Sequence, residues 1–359
     1  MKVSSWPRPA RWAALLALSV ALSLLWGAAS LPAALLIGPM IGGVVFGVHG
    51  ARLDVPRWSY LGAQAVIGAL VGSAITPAIM ATFREDAWLF SAAVAATLLG
   101  SAGIGWLVSR TGLIPGSTAV YGTAPGAASA MVMLGEAEGA DVSLVAFMQY
   151  TRVLMVAFAT TFVAYYFADT VPHPPGAPWD AHVNWLNLAF VILLAVAGQQ
   201  IARLLHLHAW GLIGPMLLLS PLHAAGWIDI ELPRWLLAAA YAFIGWHIGL
   251  GFRRDRLIHA GKAMPVVVGT ALCLIVFCAG VAWCLTLVVH VDPLTAYLAT
   301  SPGGVDVAAV IAASTPRVDL PFVLALQSIR LFATVALSPL LVRLVVKHSP
   351  HLRDHRRPK

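Results

Sequence analysis

Charge is what this chain has least of. Asp, Glu, Lys and Arg together make 10% of its 359 residues, 15 acids against 22 bases. A soluble domain carries roughly a quarter. So few charges do not cover a globule of this length in water, which argues against a secreted soluble enzyme, a disordered regulator and a free nucleic-acid binder. Cysteine is scarce as well. Cys273, Cys278 and Cys284 fall in one apolar run, with no CxxC pair and no His cluster beside them, so neither a disulfide framework nor a zinc site is indicated. HExxH and ExxH motifs, a nucleophile elbow and a Walker loop are missing too. His206, His208 and His247 stand apart from any carboxylate cage. The expectation is a protein that is not an enzyme, with no catalytic residues, no metal and no cofactor.

What is present is apolar sequence, 60% of the chain at a mean hydropathy of +0.84. Twelve stretches approach the ~20 residues that cross a bilayer as helix: 12–30, 32–50, 58–82, 87–109, 113–135, 142–168, 184–205, 209–227, 235–252, 263–290, 293–315 and 320–346. This predicts an all-α polytopic membrane protein whose first partner is the lipid bilayer. A Pro-rich linker without Lys or Arg, Val171 to Trp179, separates the two sets of six.

The second set repeats the first. Ile37-Gly38-Pro39-Met40 returns as Ile213-Gly214-Pro215-Met216, and Pro56-Arg57-Trp58 as Pro233-Arg234-Trp235. Gly68 and Gly72 return as Gly245 and Gly249, and Thr123-Ala124-Pro125-Gly126 as Thr300-Ser301-Pro302-Gly303. Asp141, Gln149 and Arg152 return as Asp319, Gln327 and Arg330, all at an offset of 176 to 178. The predicted organisation is repeat 1 over 1–168, linker 169–183, repeat 2 over 184–347 and a basic tail over 348–359. Lys2, Arg8 and Arg11 before an apolar run look like a signal peptide. Residues 184–205 hold the corresponding place in the second repeat, however, so 12–30 reads as a retained helix.

Charge orients the chain. If 113–135 and 293–315 are re-entrant or broken segments that return to their starting side, ten crossings remain. Lys and Arg outside the spans then divide 17 inside to 3 outside, with only Arg84, Arg234 and Arg317 facing out. Twelve crossings give a poorer 13 to 7. The positive-inside rule favours ten, and five crossings per repeat make the repeats inverted. Inverted repeats with interrupted helices are a secondary-transporter design. Twelve crossings with two unwound helices remain the alternative, and Glu136, Glu138 and Asp141 placed inside weigh slightly for it.

The candidate site lies at the two interrupted segments. Pro125 and Pro302 break a helix, and Gly126, Gly303 and Gly304 permit unusual backbone. The restarting half-helix offers N–H groups and a positive dipole end to an anion; the bland reading is a kink for close packing. Arg152 and Arg330 lie eleven residues into apolar helices, where a charge needs a partner or a wet cavity. Asp141 and Arg152 differ by about 20° around a helix of 3.6 residues per turn, so each repeat offers one polar stripe with Gln149 or Gln327 beside it. Those side chains either bind a small polar or anionic solute or satisfy the loosened carbonyls of the break. Thr123, Pro125, Gly126, Gln149, Arg152, Thr300, Ser301, Gly303, Gly304, Gln327 and Arg330 are the candidate binding residues. Asp306 is a candidate for ion or proton coupling, or a helix cap, or a partner of Arg330 or Arg152. The stretches GPMIGGVVFG, GALVG and GWHIG read as close helix packing, and the tail as an anchor near anionic lipid.

These paired motifs resemble the AbrB-duplication family of bacterial inner-membrane proteins over nearly the whole chain. IGPMIGG at 37–43, YGTAPGAASAMV at 121–132, Gly139-Ala140-Asp141, Gln149 with Arg152, TSPGG at 300–304, Asp319 and Gln327 with Arg330 carry the resemblance. That family is distinct from the small DNA-binding regulator of the same name. Its labels include regulator of gene expression and ammonia monooxygenase, and it is grouped remotely with cation/proton antiporters and anion transporters. The resemblance implies a multi-pass protein of the bacterial inner membrane with both termini cytoplasmic. A monooxygenase needs a copper or iron ligand set that this sequence does not offer, and direct nucleic-acid binding needs a soluble head. The expectation is therefore transporter-like binding of a solute, with a membrane sensor acting indirectly on gene expression as the alternative and a homo-oligomer as an open partner.

Overall fold

A computed structural model describes residues 6–29, 31, 33–74, 87–114, 116–125, 128–167, 183–207, 210–289, 291–315 and 318–347. The linker Val171–Trp179, the tail 348–359, Arg84, Arg317, Gly126 and the side chain of Asp306 lie outside the description. Among the described residues all regular structure is helical. The first half of the chain holds α1 (Arg8–Ala28), α2 (Ala34–Val48), α3 (Arg57–Ala74), α4 (Ala87–Arg110), α5 (Gly116–Thr123), α6 (Ala128–Ala137) and α7 (Val142–Phe167). The second holds α8 (Trp185–Leu204), α9 (Trp210–Ala224), α10 (Arg234–Gly249), α11 (Arg254–His259), α12 (Met264–Val289), α13 (Pro293–Thr300), α14 (Val305–Ala313) and α15 (Leu320–Lys347). Among the described residues, five helices are long and apolar enough to cross a membrane: α1, most of α4, α7, α8 and α12. This fits a membrane protein.

Local chemistry sets the helix starts. Pro7 and Pro233 stand at N-caps, and Pro293 occupies the first turn of α13, where a missing N–H costs nothing. Asp292 Oδ2 accepts from Leu294 N at 3.0 Å and Thr295 N at 3.2 Å, and Asn184 caps α8 in the same way.

The helices form two bundles that each draw on both halves. In one, α2 packs on α10 and α9 on α3, with α1 along α2 and α8 along α9. The duplicated Gly-Pro motifs explain this exchange. A Cβ on Gly245 would lie 3.2 Å from Pro39 Cβ, and one on Gly68 would lie 3.0 Å from Pro215 Cβ. Each proline of α2 and α9 thus rests on a glycine from the other half. Gly43 and Gly249 bring backbone against backbone, as the close-packing reading expected: a Cβ on Gly249 would stand 2.8 Å from Gly43 Cα. The other bundle contains α4 to α7 and α12 to α15. There α4 packs on α5 and α12 on α13, while α7 and α15 lie against both interrupted segments.

Side-chain contacts sort the helix ends onto two faces. Arg11 Nη1 donates to Ala51 O at 2.8 Å, and Arg253 meets Asp54 at 4.0 Å. Phe252 packs edge-on to Phe147, and Val108, Ile114, Leu144, Phe252, Ala260 and Ala263 share one cluster. Gln199 Nε2 near the end of α8 donates to Leu61 O near the start of α3. Arg52, Arg57, Arg110, Arg203, Arg253, Arg254 and Lys262 therefore gather at one end of the molecule, its basic face. The opposite end is marked by Phe90 on Phe322, 5.0 Å between ring centroids, and by Trp185 near Trp235. Phe90 stands twenty residues before Arg110 on α4, about 30 Å along the helix.

Candidate functional site

Each interrupted segment doubles back. The backbone N–H of Asp141, at the start of α7, donates to Thr118 Oγ1 at the start of α5 over 3.0 Å. Asp319 N does the same to Thr295 Oγ1 over 3.1 Å. The chain thus leaves each segment beside the point where it entered: α5 runs in, turns at Ala124–Pro125, and α6 brings it back. The second segment does this through α13 and α14, turning at Ser301–Gly304. The Phe90–Phe322 contact places the start of α15 on the face opposite the α4–α5 connection, so the two hairpins enter from opposite faces. The first turn lies against α15, the helix whose Arg330 holds the second: Thr334 Oγ1, one helical turn after Arg330, donates to Pro125 O at 3.1 Å.

The glutamines and arginines sit at these turns, buried. Gln149 and Gln327 are 0% exposed, Arg152 2% and Arg330 1%. Gln149 Nε2 donates to Tyr121 O at 2.6 Å and Ala124 O at 3.2 Å, and Arg152 Nη1 to Ala124 O at 2.5 Å. In the second half Gln327 Nε2 donates to Leu298 O at 2.8 Å and Ser301 O at 3.2 Å. Arg330 donates to Thr300 O, Ser301 O and Gly303 O at 3.0, 2.6 and 3.2 Å, and to Gln327 Oε1. These carbonyls end α5 and α13, where a broken helix leaves acceptors unsatisfied and a partial negative charge. Of the two readings of the arginines, the bonds described are those of the second: the guanidiniums satisfy the carbonyl end of each break. Buried charge stabilised by several fixed dipoles is a role that suits arginine's fork.

Thr123 and Thr300 lock the same ends to the neighbouring helix. Thr123 Oγ1 lies 3.2 Å from Ser101 O on α4, and Thr300 Oγ1 3.2 Å from Cys278 O on α12. Ser301 Oγ donates to Leu298 O at 2.9 Å. Asp141 and Asp319, expected to share the polar stripe, instead cap: Asp141 Oδ1 accepts from Leu144 N and Asp319 Oδ1 from Phe322 N, both at 3.0 Å. The reason is that α7 begins at Val142, so residue 141 precedes the helical repeat that the angular argument assumed. Thr118, Thr295 and Thr334 were not among the candidates. A signal for the first two exists, since both open the duplicated Thr-Ala stretch that leads into the break.

The N-terminal ends of α6 and α14 are the unclaimed half of the geometry. Gly304, the N-cap of α14, has φ −78° and ψ 147° and makes no side-chain cap bond. Among the described residues, a Cβ added there would meet nothing within 4 Å, whereas one on Gly303 would lie 3.1 Å from Val156 Cγ1 and crowd it. Gly304 thus stands at the positive end of α14 with no described side chain against it, beside a buried guanidinium. Gly126, at the corresponding turn, and the Asp306 side chain fall outside the described residues. No cluster of three or more His, Cys, Asp or Glu that could hold a metal occurs among the described residues.

Two sets of comparisons bear on this arrangement. The family described as "Transition state regulatory protein AbrB" matches residues 35–346. A protein of Escherichia coli (strain K12) named "Putative regulator AbrB" is 41% identical over 349 residues, covering 95% of this chain and 98% of that protein. "Uncharacterized protein YhjN" of Bacillus subtilis (strain 168) is 27% identical over 315 residues, 80% of this chain and 79% of its own.

Proposed function

The chain belongs to the AbrB family, and we propose that it is a transporter-like membrane protein that binds a small polar or anionic solute between its two broken hairpins. One observation carries this reading: two hairpins enter from opposite faces and turn against the same helix, α15, each turn pinned at its carbonyl end by a buried Gln–Arg pair. Irregular backbone at membrane depth persists where it lines a cavity or is buried in protein, and paired half-helix termini are how inverted-repeat transporters hold solutes. On this reading the hairpins are re-entrant, ten segments cross, and the halves are inverted tandem repeats. The basic face lies in the cytoplasm of a bacterial inner-membrane protein, in keeping with the positive-inside rule.

The solute's charge follows from the surroundings. Arg330 brings a positive charge beside the second turn, and the N-terminal end of α14 adds a positive dipole. An anion or a strongly polar group is the complement. Binding and movement, not catalysis, is the activity assigned, and alternating access would come from displacement of the two bundles against each other.

The name of the Escherichia coli relative supports a second reading, in which the same site senses a solute and influences gene expression through a cytoplasmic partner. Proteoliposomes containing this protein alone separate the two. Uptake of a stabilising solute above that of empty liposomes supports transport. Binding without uptake supports the sensor, and absence of both sinks the site.

A further inference from the structure

The two hairpins correspond in sequence and hydrogen bonding but not in burial. Every position from Val307 to Ala312 on α14 is at most 4% exposed. This follows from packing against α3 and α10 of the other bundle as well as α7 and α15. On α6 the positions equivalent to Ala309 and Ile311 are Val132 and Leu134, and both are half-exposed. The main contacts of α6 are α5, α7 and α15, all in its own bundle. One hairpin is therefore clamped between the bundles, while the other packs mainly within its own bundle and is left partly exposed on the side of the basic face, to which α6 returns.

The walls differ in chemistry as well. On the clamped side α3 and α10 carry Leu70, Leu237 and Tyr241, apolar or aromatic side chains packed in the main core. The repeat offset carries those three positions to His247, Tyr60 and Gln64. There the His247 ring stacks on Tyr60 at 4.0 Å, with Tyr150 of the moving bundle edge-on at 6.3 Å, and Gln64 Nε2 donates to Tyr60 Oη at 3.2 Å. A seal that stays shut is built from apolar side chains, since it need offer water nothing. A wall that a polar solute passes has hydrogen-bonding groups to replace its hydration.

We propose that the protein stands here open toward its basic face, and that Tyr60 and His247 line the route by which a polar solute reaches the breaks. The opposite route is closed by α14 against α3 and α10. In the reverse state α6 packs against α10 and α3 in the same way, over Tyr60 and His247. This rests on the solute-binding reading above, but its test does not.

The test uses single cysteines at Val132, Tyr60, Ile311 and Leu70 in a background lacking Cys273, Cys278 and Cys284. Variants are confirmed as monodisperse and labelled with a membrane-impermeant thiol reagent in right-side-out and inverted vesicles. Expected is labelling of Val132→Cys and Tyr60→Cys from the basic face alone, about tenfold or more faster than Ile311→Cys or Leu70→Cys from either face. If Tyr60→Cys fails to fold, His247→Cys takes its place on the same wall. Equal rates at equivalent positions, or faster labelling of Ile311→Cys from the opposite face, would overturn the inference. Labelling as expected without any measurable transport would leave the opening toward the basic face standing and count against the transport reading alone.

Discussion

Removing Arg330 is the perturbation that probes the breaks most sharply. The guanidinium donates to three carbonyl oxygens at the end of α13, at 2.6 to 3.2 Å, from a side chain 1% exposed. In Arg330→Ala, Ser301 O keeps its bond from Gln327 Nε2, but Thr300 O, Gly303 O and Gln327 Oε1 lose this donor. A buried acceptor left unsatisfied costs about 1–3 kcal/mol, so three amount to about 3–9 kcal/mol before the surroundings relax. Part is offset because the buried guanidinium's own desolvation cost disappears with it. A net loss of about 2–4 kcal/mol is expected. Equilibrium unfolding in mixed detergent–SDS micelles, followed by tryptophan fluorescence, measures it. Arg330→Lys should fall between, keeping the charge and losing the fork. A loss below about 1 kcal/mol for Arg330→Ala would refute the view that this residue holds the break together.

Four further outcomes follow from the packing and the topology. Gly249→Val should cost about 1–3 kcal/mol or prevent assembly, because its Cβ would stand 2.8 Å from the Gly43 and Val44 backbones. Gly62→Ala, where an added Cβ meets nothing within 4 Å, should stabilise by up to about 1 kcal/mol; thermal unfolding of the two variants side by side checks both. Thr118→Val should lose about 1 kcal/mol with the tie between the two ends of the first hairpin, while Thr118→Ser should retain most of it. Cysteines engineered at Arg84 and Asp255 should be labelled from opposite sides of the membrane, and same-side labelling would sink the ten-crossing arrangement.

Much of this architecture is written in the sequence, and the reasons are local. Proline lacks an N–H and disfavours helix before it, so Pro125 and Pro302 with their following glycines mark both turns, while Pro39 and Pro215 are accommodated inside α2 and α9. Small residues at a spacing of four mark close helix contacts, and Gly43, Gly68, Gly245 and Gly249 all make them. Duplication then multiplies every local signal by two. What the sequence does not contain is depth and partner. A helical wheel says that Arg152 and Gln149 lie near one another, but not which end of the break they meet; that depends on α5 running alongside α7, which the tie between Thr118 and Asp141 sets. Nor does a wheel show that Asp141 precedes the helix and caps it. The exchange of α2 and α9 between halves is equally invisible, because Pro39 and Gly245 are joined only by long-range packing. The difference in burial between Val132 and Ala309 is a property of the conformation, and a duplicated sequence alone implies that both hairpins are alike.

The most direct measurement is a thermal-shift screen of the detergent-purified protein against small polar and anionic metabolites, run beside Gly304→Val. The variant adds bulk at the head of α14, where an added Cβ meets no described atom within 4 Å, and should itself unfold near the parent temperature. A bound solute at ~100 times its dissociation constant stabilises the parent by about 2.7 kcal/mol. The account predicts such a solute, with its shift lost in Gly304→Val. A solute whose shift survives that substitution undiminished, or no solute at all, would contradict a binding site at the paired breaks.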